Sequence, residues 1–138
     1  MALPSGLPEV VHGDEYVARF LFSSNSYNST GVKWTAFDPS TVNGETSVFR
    51  SPSRISESLW GMGKELANGR ANKLHGAALL QSGSVFNAGL RIAPSEPPPA
   101  HANIVGWPEL VQDPAMQKAS RMELAKLLAQ RATLVLAS

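Results

Sequence analysis

The sequence contains no cysteine, and this absence alone removes several classes of protein. Without cysteine there is no disulfide framework, no thiolate nucleophile and no zinc or iron–sulfur site that depends on sulfur ligands. Charged residues are also few, at 17% of the chain against about 25% in an ordinary soluble domain. No apolar run approaches the roughly 18 residues needed to cross a bilayer. We therefore expect a protein without a membrane span, stabilised by its core and not by covalent bridges.

The amino terminus lacks the features of an export signal. Residues 1–13 contain no lysine or arginine and no apolar run of seven or more, whereas a secretory signal needs a basic start and such a run. We therefore expect a cytoplasmic protein. Two prolines in this stretch predict an irregular lead, and the length of 138 residues suits one domain, which we place at residues 14–138.

Eleven glycines and ten prolines divide the chain into short elements. The spacing of apolar residues predicts helices over residues 14–24, 53–68 and from Pro114 onward, the last with Asp113 as its N-cap. Strands are predicted over residues 32–37, 45–50, 74–80 and 85–93 and around Ile104, while residues 133–136 fit the last helix or a final strand. Because most strands follow one another directly, we predict an α+β fold: a mainly antiparallel sheet of about five short strands with two or three helices packed on it.

Glycine and proline also mark places of special geometry. Gly61 and Gly63 lie inside the predicted middle helix, where each costs about 1 kcal/mol relative to alanine. Two explanations stay open: close packing of this helix on a strand, or space for a ligand or partner beside Trp60. Gly89 inside a predicted strand indicates a bulge, and residues 94–99 predict an extended polyproline loop.

Sequence motifs of the common enzyme classes are missing. The chain has no phosphate-binding G-x-x-x-x-G-K loop, no G-x-G-x-x-G, no H-E-x-x-H and no G-x-S-x-G. The three histidines, His12, His75 and His101, are not paired with one another at metal-ligand spacing. We therefore predict neither a metal site nor a cofactor.

One group of residues is compatible with chemistry on a phosphate. Arg50 and Arg54 flank the predicted start of the middle helix, and residues 50–91 hold six basic residues against two acidic ones. His101 and Asn103 would share one face of a strand, where a histidine can act as general acid or base. The enzymatic hypothesis is thus a metal-independent enzyme acting on a nucleotide or RNA, and it requires Arg50 and His101 to meet in one cleft. The competing explanation is structural: His101 bonds a loop carbonyl, and the arginines are solvated or paired with the acidic first third of the chain.

Our leading hypothesis from the sequence is a binding or accessory protein that recognises a partner protein. The rigid proline loop, with Pro97 and Pro98, precedes Trp107, and tryptophan is enriched at interfaces. Trp60 and Arg70, on and just after the middle helix, are further candidates for contact with a ligand or partner.

Two segments carry a resemblance. Residues 45–50, ETSVFR, and residues 101–108, HANIVGWP, resemble segments of small bacterial proteins encoded beside defence genes. The resemblance implies a bacterial accessory protein, and we hypothesise that it belongs to an antiviral defence or toxin-type system.

Overall fold

The computed structural model of the protein describes residues 2–108 and 114–137. Over these residues the chain forms eight strands and three α-helices. The strands are β1 (Tyr16–Leu21), β2 (Tyr27–Asn28), β3 (Gly31–Val32), β4 (Thr46–Ser51), β5 (Gly76–Gln81), β6 (Arg91–Pro94), β7 (His101–Val105) and β8 (Thr133–Leu136). The helices are α1 (Glu57–Gly69), α2 (Ser82–Asn87) and α3 (Pro114–Arg131). In these two stretches no helix has the length and apolar character that a membrane crossing requires.

The α+β fold with an antiparallel sheet is confirmed. Six strands form one sheet in the order β6, β7, β4, β1, β5, β8, and every neighbouring pair in it is antiparallel. The sheet therefore has one strand more than expected, and β2 and β3 add a small separate hairpin. The strands β6 and β8 are its two edges.

Both faces of the sheet are covered, because alternate residues of each strand point to opposite sides. On one face, the α3 face, Val17, Val48 and Leu80 lie in a core with Ala125 and Leu128 of α3. On the other, the α1 face, a second core is built around α1; its buried members include Ala18, Phe20, Phe49, Leu59, Ala67 and Ala77. Three polar residues discussed below, Ser47, His101 and Asn103, lie on this α1 face, beyond the area that α1 covers.

The predicted helix over residues 14–24 is wrong, because this segment contains β1. Tyr16, Val17, Phe20 and Leu21 have helical spacing, but β1 pairs on both sides, with β4 and β5. Its residues face two cores, so apolar side chains occupy both of its faces and the alternation expected of a strand disappears.

Two further strand predictions are wrong in part. Of residues 32–37 only Val32 lies in a strand, since Trp34–Ala36 form a 3-10 turn. Of residues 85–93 the first three lie in α2, and β6 begins at Arg91. Gly89 is therefore not a bulge: with φ of +84° it follows the end of α2, in the left-handed conformation that commonly terminates a helix.

The other predicted helices and strands are present, and they differ from expectation only in their first or last residues. Helix α1 begins at Glu57 and not at residue 53, because the Ser56 hydroxyl accepts a hydrogen bond from the Leu59 N–H and caps the helix there. Residues 133–136 form the strand β8. The predicted N-cap Asp113 lies outside the described residues, and α3 is present from Pro114.

The two glycines of α1 have different surroundings. A β-carbon on Gly63 would lie 2.7 Å from Cε1 of Phe20, so this glycine allows the helix to approach β1. A β-carbon on Gly61 would meet nothing within 4 Å. Close packing therefore explains Gly63, and the structure gives no packing reason for Gly61.

Candidate functional site

Arg50 is a buried structural residue, 4% exposed, on the α3 face of β4. Its guanidinium forms an ion pair with Glu15, 2.9 Å from Nη2 to Oε1, and Nη1 donates to the Pro8 carbonyl at 2.6 Å. The pairing with the acidic first third of the chain is thus present. Arg50 ties the N-terminal lead to the centre of the sheet.

His101 lies on the other face, hydrogen-bonded through both ring nitrogens. Nδ1 is 2.8 Å from the Ser95 carbonyl oxygen, the loop carbonyl contact expected from the sequence. Nε2 is 2.7 Å from Oγ of Ser47 on β4, and the ring packs edge-on against Phe49 with centroids 5.2 Å apart. Sequence reasoning missed Ser47, whose only signal was its position two residues before Phe49 on the same face of a predicted strand.

The structure does not bring the four residues of the phosphate hypothesis together. In the β4–β7 ladder Phe49 is opposite His101, so Arg50, the next residue, points to the opposite face of the sheet. Arg54 is exposed and lies against β5 and β8, on the far side of β1 from His101. His101 and Asn103 do share one face, as predicted.

Arg19 is a second charged residue inside the fold, and it also escaped sequence reasoning. The β1–β4 ladder covers only Tyr16–Ala18 of β1, and beyond it the two strands separate. Here the Arg19 guanidinium bridges the gap, with Nε donating to the Ala36 carbonyl and Nη1 to the Ser47 carbonyl, both at 2.9 Å. Burial, and to a lesser degree the charge of Arg70, lowers the pKa of Arg19 to about 10. Arg19 thus remains charged at neutral pH and fixes the backbone of Ser47.

The residues proposed for partner contact differ in accessibility. Trp107 is 5% exposed and belongs to the α3-face core, with Nε1 donating to the Ile104 carbonyl at 3.1 Å. Pro97 is exposed and Pro98 half-buried, on a loop that lines a small apolar cleft of about 330 Å³ with Pro4. Arg70 stacks over the Phe22 ring, with Cζ 4.8 Å from its centroid. The loop is therefore accessible, whereas the Trp107 side chain is not.

The proline loop is tied to the N-terminal lead through Glu96, and this contact predicts a pH effect. The Ser5 hydroxyl donates to the carboxylate, and the backbone N–H groups of Ser5 and Ala100 donate as well, so the pKa of Glu96 lies below its ordinary value. A lowered folded-state pKa stabilises the docked loop above the ordinary carboxyl range, and this contribution is lost as the pH falls through the lowered value. We expect NMR titration of the Glu96 side chain to show the lowered pKa, and Ser5→Ala to raise it. An unchanged midpoint in Ser5→Ala would contradict the assignment of the Ser5 hydroxyl as the main cause.

A larger groove, the α1–β8 groove, lies at the other side of the α1 face. It has a volume of about 770 Å³ and runs between the start of α1 and the β5–β8 edge. Residues of both charged and apolar character line it, among them Arg54, Ser56, Trp60, Leu79, Val135 and Leu136. Trp60 is half-buried and packs against Phe20, so its ring is a fixed wall of this groove.

In the described stretches, histidine and acidic side chains form no group of three that could hold a metal ion. Comparison with known proteins adds no assignment to this geometry. No protein-family model matches the chain, and no curated protein and no solved structure matches it.

Proposed function

We propose that the protein binds a partner protein, and that an extended segment of the partner adds to the sheet at β8. The observation that carries this proposal is the outer edge of β8, where backbone N–H and C=O groups have no backbone partner among the described residues. An unpaired strand edge is a template for a further strand, and peptide recognition by strand addition uses this property.

The register of β8 identifies the outward groups. The Ala137 N–H donates to the His75 carbonyl, so alternate residues from Ala137 back to Val135 and Thr133 direct their backbone groups toward β5. Leu134 and Leu136 lie between them and direct theirs outward. An incoming strand can therefore form ladder hydrogen bonds at these two residues.

The opposite edge of the sheet is less suited to strand addition. Strand β6 ends in Pro94, which has no N–H to donate, and proline is a common means of blocking a sheet edge. Near β8, the β2–β3 hairpin packs through Val32 against the α3-face core and forms no ladder with β8. The two edges thus differ in their capacity for pairing.

The α1–β8 groove supplies the side-chain recognition. An added strand would point alternate side chains to the α1 face, where Trp60 and Val135 offer an apolar surface. We therefore propose an extended partner segment with apolar residues at every second position. The resemblance of residues 45–50 and 101–108 supports a bacterial accessory protein, and we further propose that its partner belongs to a cytoplasmic defence or toxin-type system.

Peptides selected from a random library against the full-length protein test this proposal. We expect Leu136→Pro to weaken binding of the selected peptides roughly tenfold or more in fluorescence polarisation, because it removes an outward backbone N–H donor at a residue that is 60% exposed. The matched control Leu136→Ala keeps the N–H and is expected to change affinity much less. Bound peptide should also slow hydrogen exchange at Leu134 and Leu136. Equal affinity of both variants, or protection centred on Pro97 and Pro98, would contradict binding at β8.

A further inference from the structure

We propose that Ser47 and His101 form a nucleophile–base pair that can transfer the acyl group of a carboxylic ester to water. This goes beyond the binding proposed at β8, since Ser47 on β4 is separated from β8 by β1 and β5. The first support is the contact of 2.7 Å between Ser47 Oγ and His101 Nε2, the distance at which a serine passes its proton to an imidazole.

The positions of the protons follow from the partners of the ring. The Ser95 carbonyl oxygen can only accept a hydrogen bond, so His101 Nδ1 carries the proton that it receives. In the neutral imidazole Nε2 is then the unprotonated nitrogen, and Ser47 Oγ donates to it. Ser47 Oγ, the His101 ring and the Ser95 carbonyl thus form the hydrogen-bonded chain that general-base activation of a serine requires.

The imidazole is held on several sides before any substrate arrives. Its ring lies edge-on to Phe49, and the backbone of His101 accepts from the Ser95 N–H at 2.9 Å and donates to the Pro98 carbonyl at 3.1 Å. Arg19 fixes the backbone carbonyl of Ser47 from the other side. A pair held in this way loses little freedom when it reacts.

Asn103 provides a donor for the charge that develops on the substrate. It is directly opposite Ser47 in the ladder, on the same face, and its side chain is half-buried. Its amide forms no hydrogen bond among the described residues. An amide N–H beside the nucleophile can stabilise the oxyanion of a tetrahedral intermediate.

The Ser47–His101 pair is partly exposed to solvent. Ser47, His101 and Asn103 are half-buried, and Ala93, opposite Asn103 on β6, is exposed, so the three residues lie at a partly open part of the α1 face. His75 is engaged with the Tyr27 hydroxyl and not with a serine.

The reaction has two balanced steps. In the first, Ser47 Oγ forms a bond to the carbonyl carbon while its proton passes to His101 Nε2; the carbon–oxygen bond to the alcohol then breaks and the alcohol leaves with that proton. In the second, water attacks the acyl-serine and gives a proton to Nε2, the acid is released, and the proton returns to Ser47 Oγ. The sum is ester plus water to acid plus alcohol.

A fluorophosphonate probe tests the nucleophile directly, because an activated serine displaces its fluoride and keeps the phosphonyl group. We expect one adduct per chain by intact mass, located on Ser47 by peptide sequencing and lost in Ser47→Ala. Ser29→Ala is the matched control: it removes an exposed hydroxyl between β2 and β3, outside the proposed site, and it should be labelled like the parent protein. An adduct that persists in Ser47→Ala would overturn the proposal.

Hydrolysis of p-nitrophenyl acetate tests the roles of the other two residues. We expect His101→Gln to lower the rate by roughly 10²-fold or more, and Asn103→Ala to lower kcat by at least tenfold. Circular dichroism and thermal melting show whether each variant is folded. A parent protein that takes up no probe and hydrolyses no ester between about pH 6 and 9 would refute the proposal whatever the variants do.

Discussion

Replacing Arg50 with alanine is expected to lower the free energy of unfolding by roughly 3 kcal/mol, the lower end of the range for breaking a buried ion pair. The Arg50 side chain is 1% exposed, whereas Glu15 is 23% exposed and can regain some water, which limits the loss. The change also leaves the Pro8 carbonyl without its donor and opens a space in the sheet. Urea denaturation followed by circular dichroism measures the effect.

The nearby Arg54 is the matched control for this prediction. It has the same side chain and follows Arg50 by four residues, but it is exposed and outside both cores. Arg54→Ala should change the free energy of unfolding by about 0.5 kcal/mol or less. Similar losses in the two variants would contradict the structural role of Arg50.

The same two arginines show what the sequence can predict of a site. The structural explanation was that the arginines are solvated or paired with the acidic first third; Arg50 does pair with Glu15, and Arg54 is exposed. Strand periodicity predicted that His101 and Asn103 lie on one face, because successive side chains of a strand point to opposite faces of the sheet. The partner of His101 could not be predicted, since Ser47 lies 54 residues away and contact depends on the register of β4 against β7.

The errors in the fold prediction have a common physical cause. A pattern of apolar residues indicates which residues are buried. It indicates the backbone conformation only when one face of the helix or strand is exposed to solvent. Strand β1 is buried on both faces, so its apolar residues fit a helix equally well. Strand β4 lies next to it but was predicted correctly, because Ser47 interrupts its apolar face where α1 no longer covers the sheet. Buried central strands are therefore where sequence spacing is least informative.

Glycine required structural information of a different kind. For Gly61 and Gly63 the sequence left open close packing or space for a ligand or partner, and only a β-carbon on Gly63 would meet the ring of Phe20. Which glycine faces the sheet depends on the rotation of α1 about its own axis. The apolar stripe of the helix defines that rotation only coarsely. A β-carbon on Gly61 would meet nothing within 4 Å, so close packing explains Gly63 but does not explain Gly61.

Trp107→Ala is expected to reduce the free energy of unfolding by roughly 3–5 kcal/mol, the usual loss when a buried tryptophan is truncated. Gly106, at φ of +92°, turns the chain after β7 so that the Trp107 ring enters the α3-face core and its N–H reaches the Ile104 carbonyl. Trp107→Phe retains much of the ring and should lose less.

The same variant separates a core role from a contact role. Under conditions where Trp107→Ala is fully folded, peptides selected against the parent protein should bind it with unchanged affinity, because Trp107 is 5% exposed and lies outside the residues that line the α1–β8 groove. Thermal melting and fluorescence polarisation on the same samples give both quantities. If affinity fell while stability remained unchanged, Trp107 would be a binding residue and the partner surface would lie at the end of β7. We expect Trp107→Ala to lose stability and to retain its affinity for the peptides, because the Trp107 ring is packed in the α3-face core.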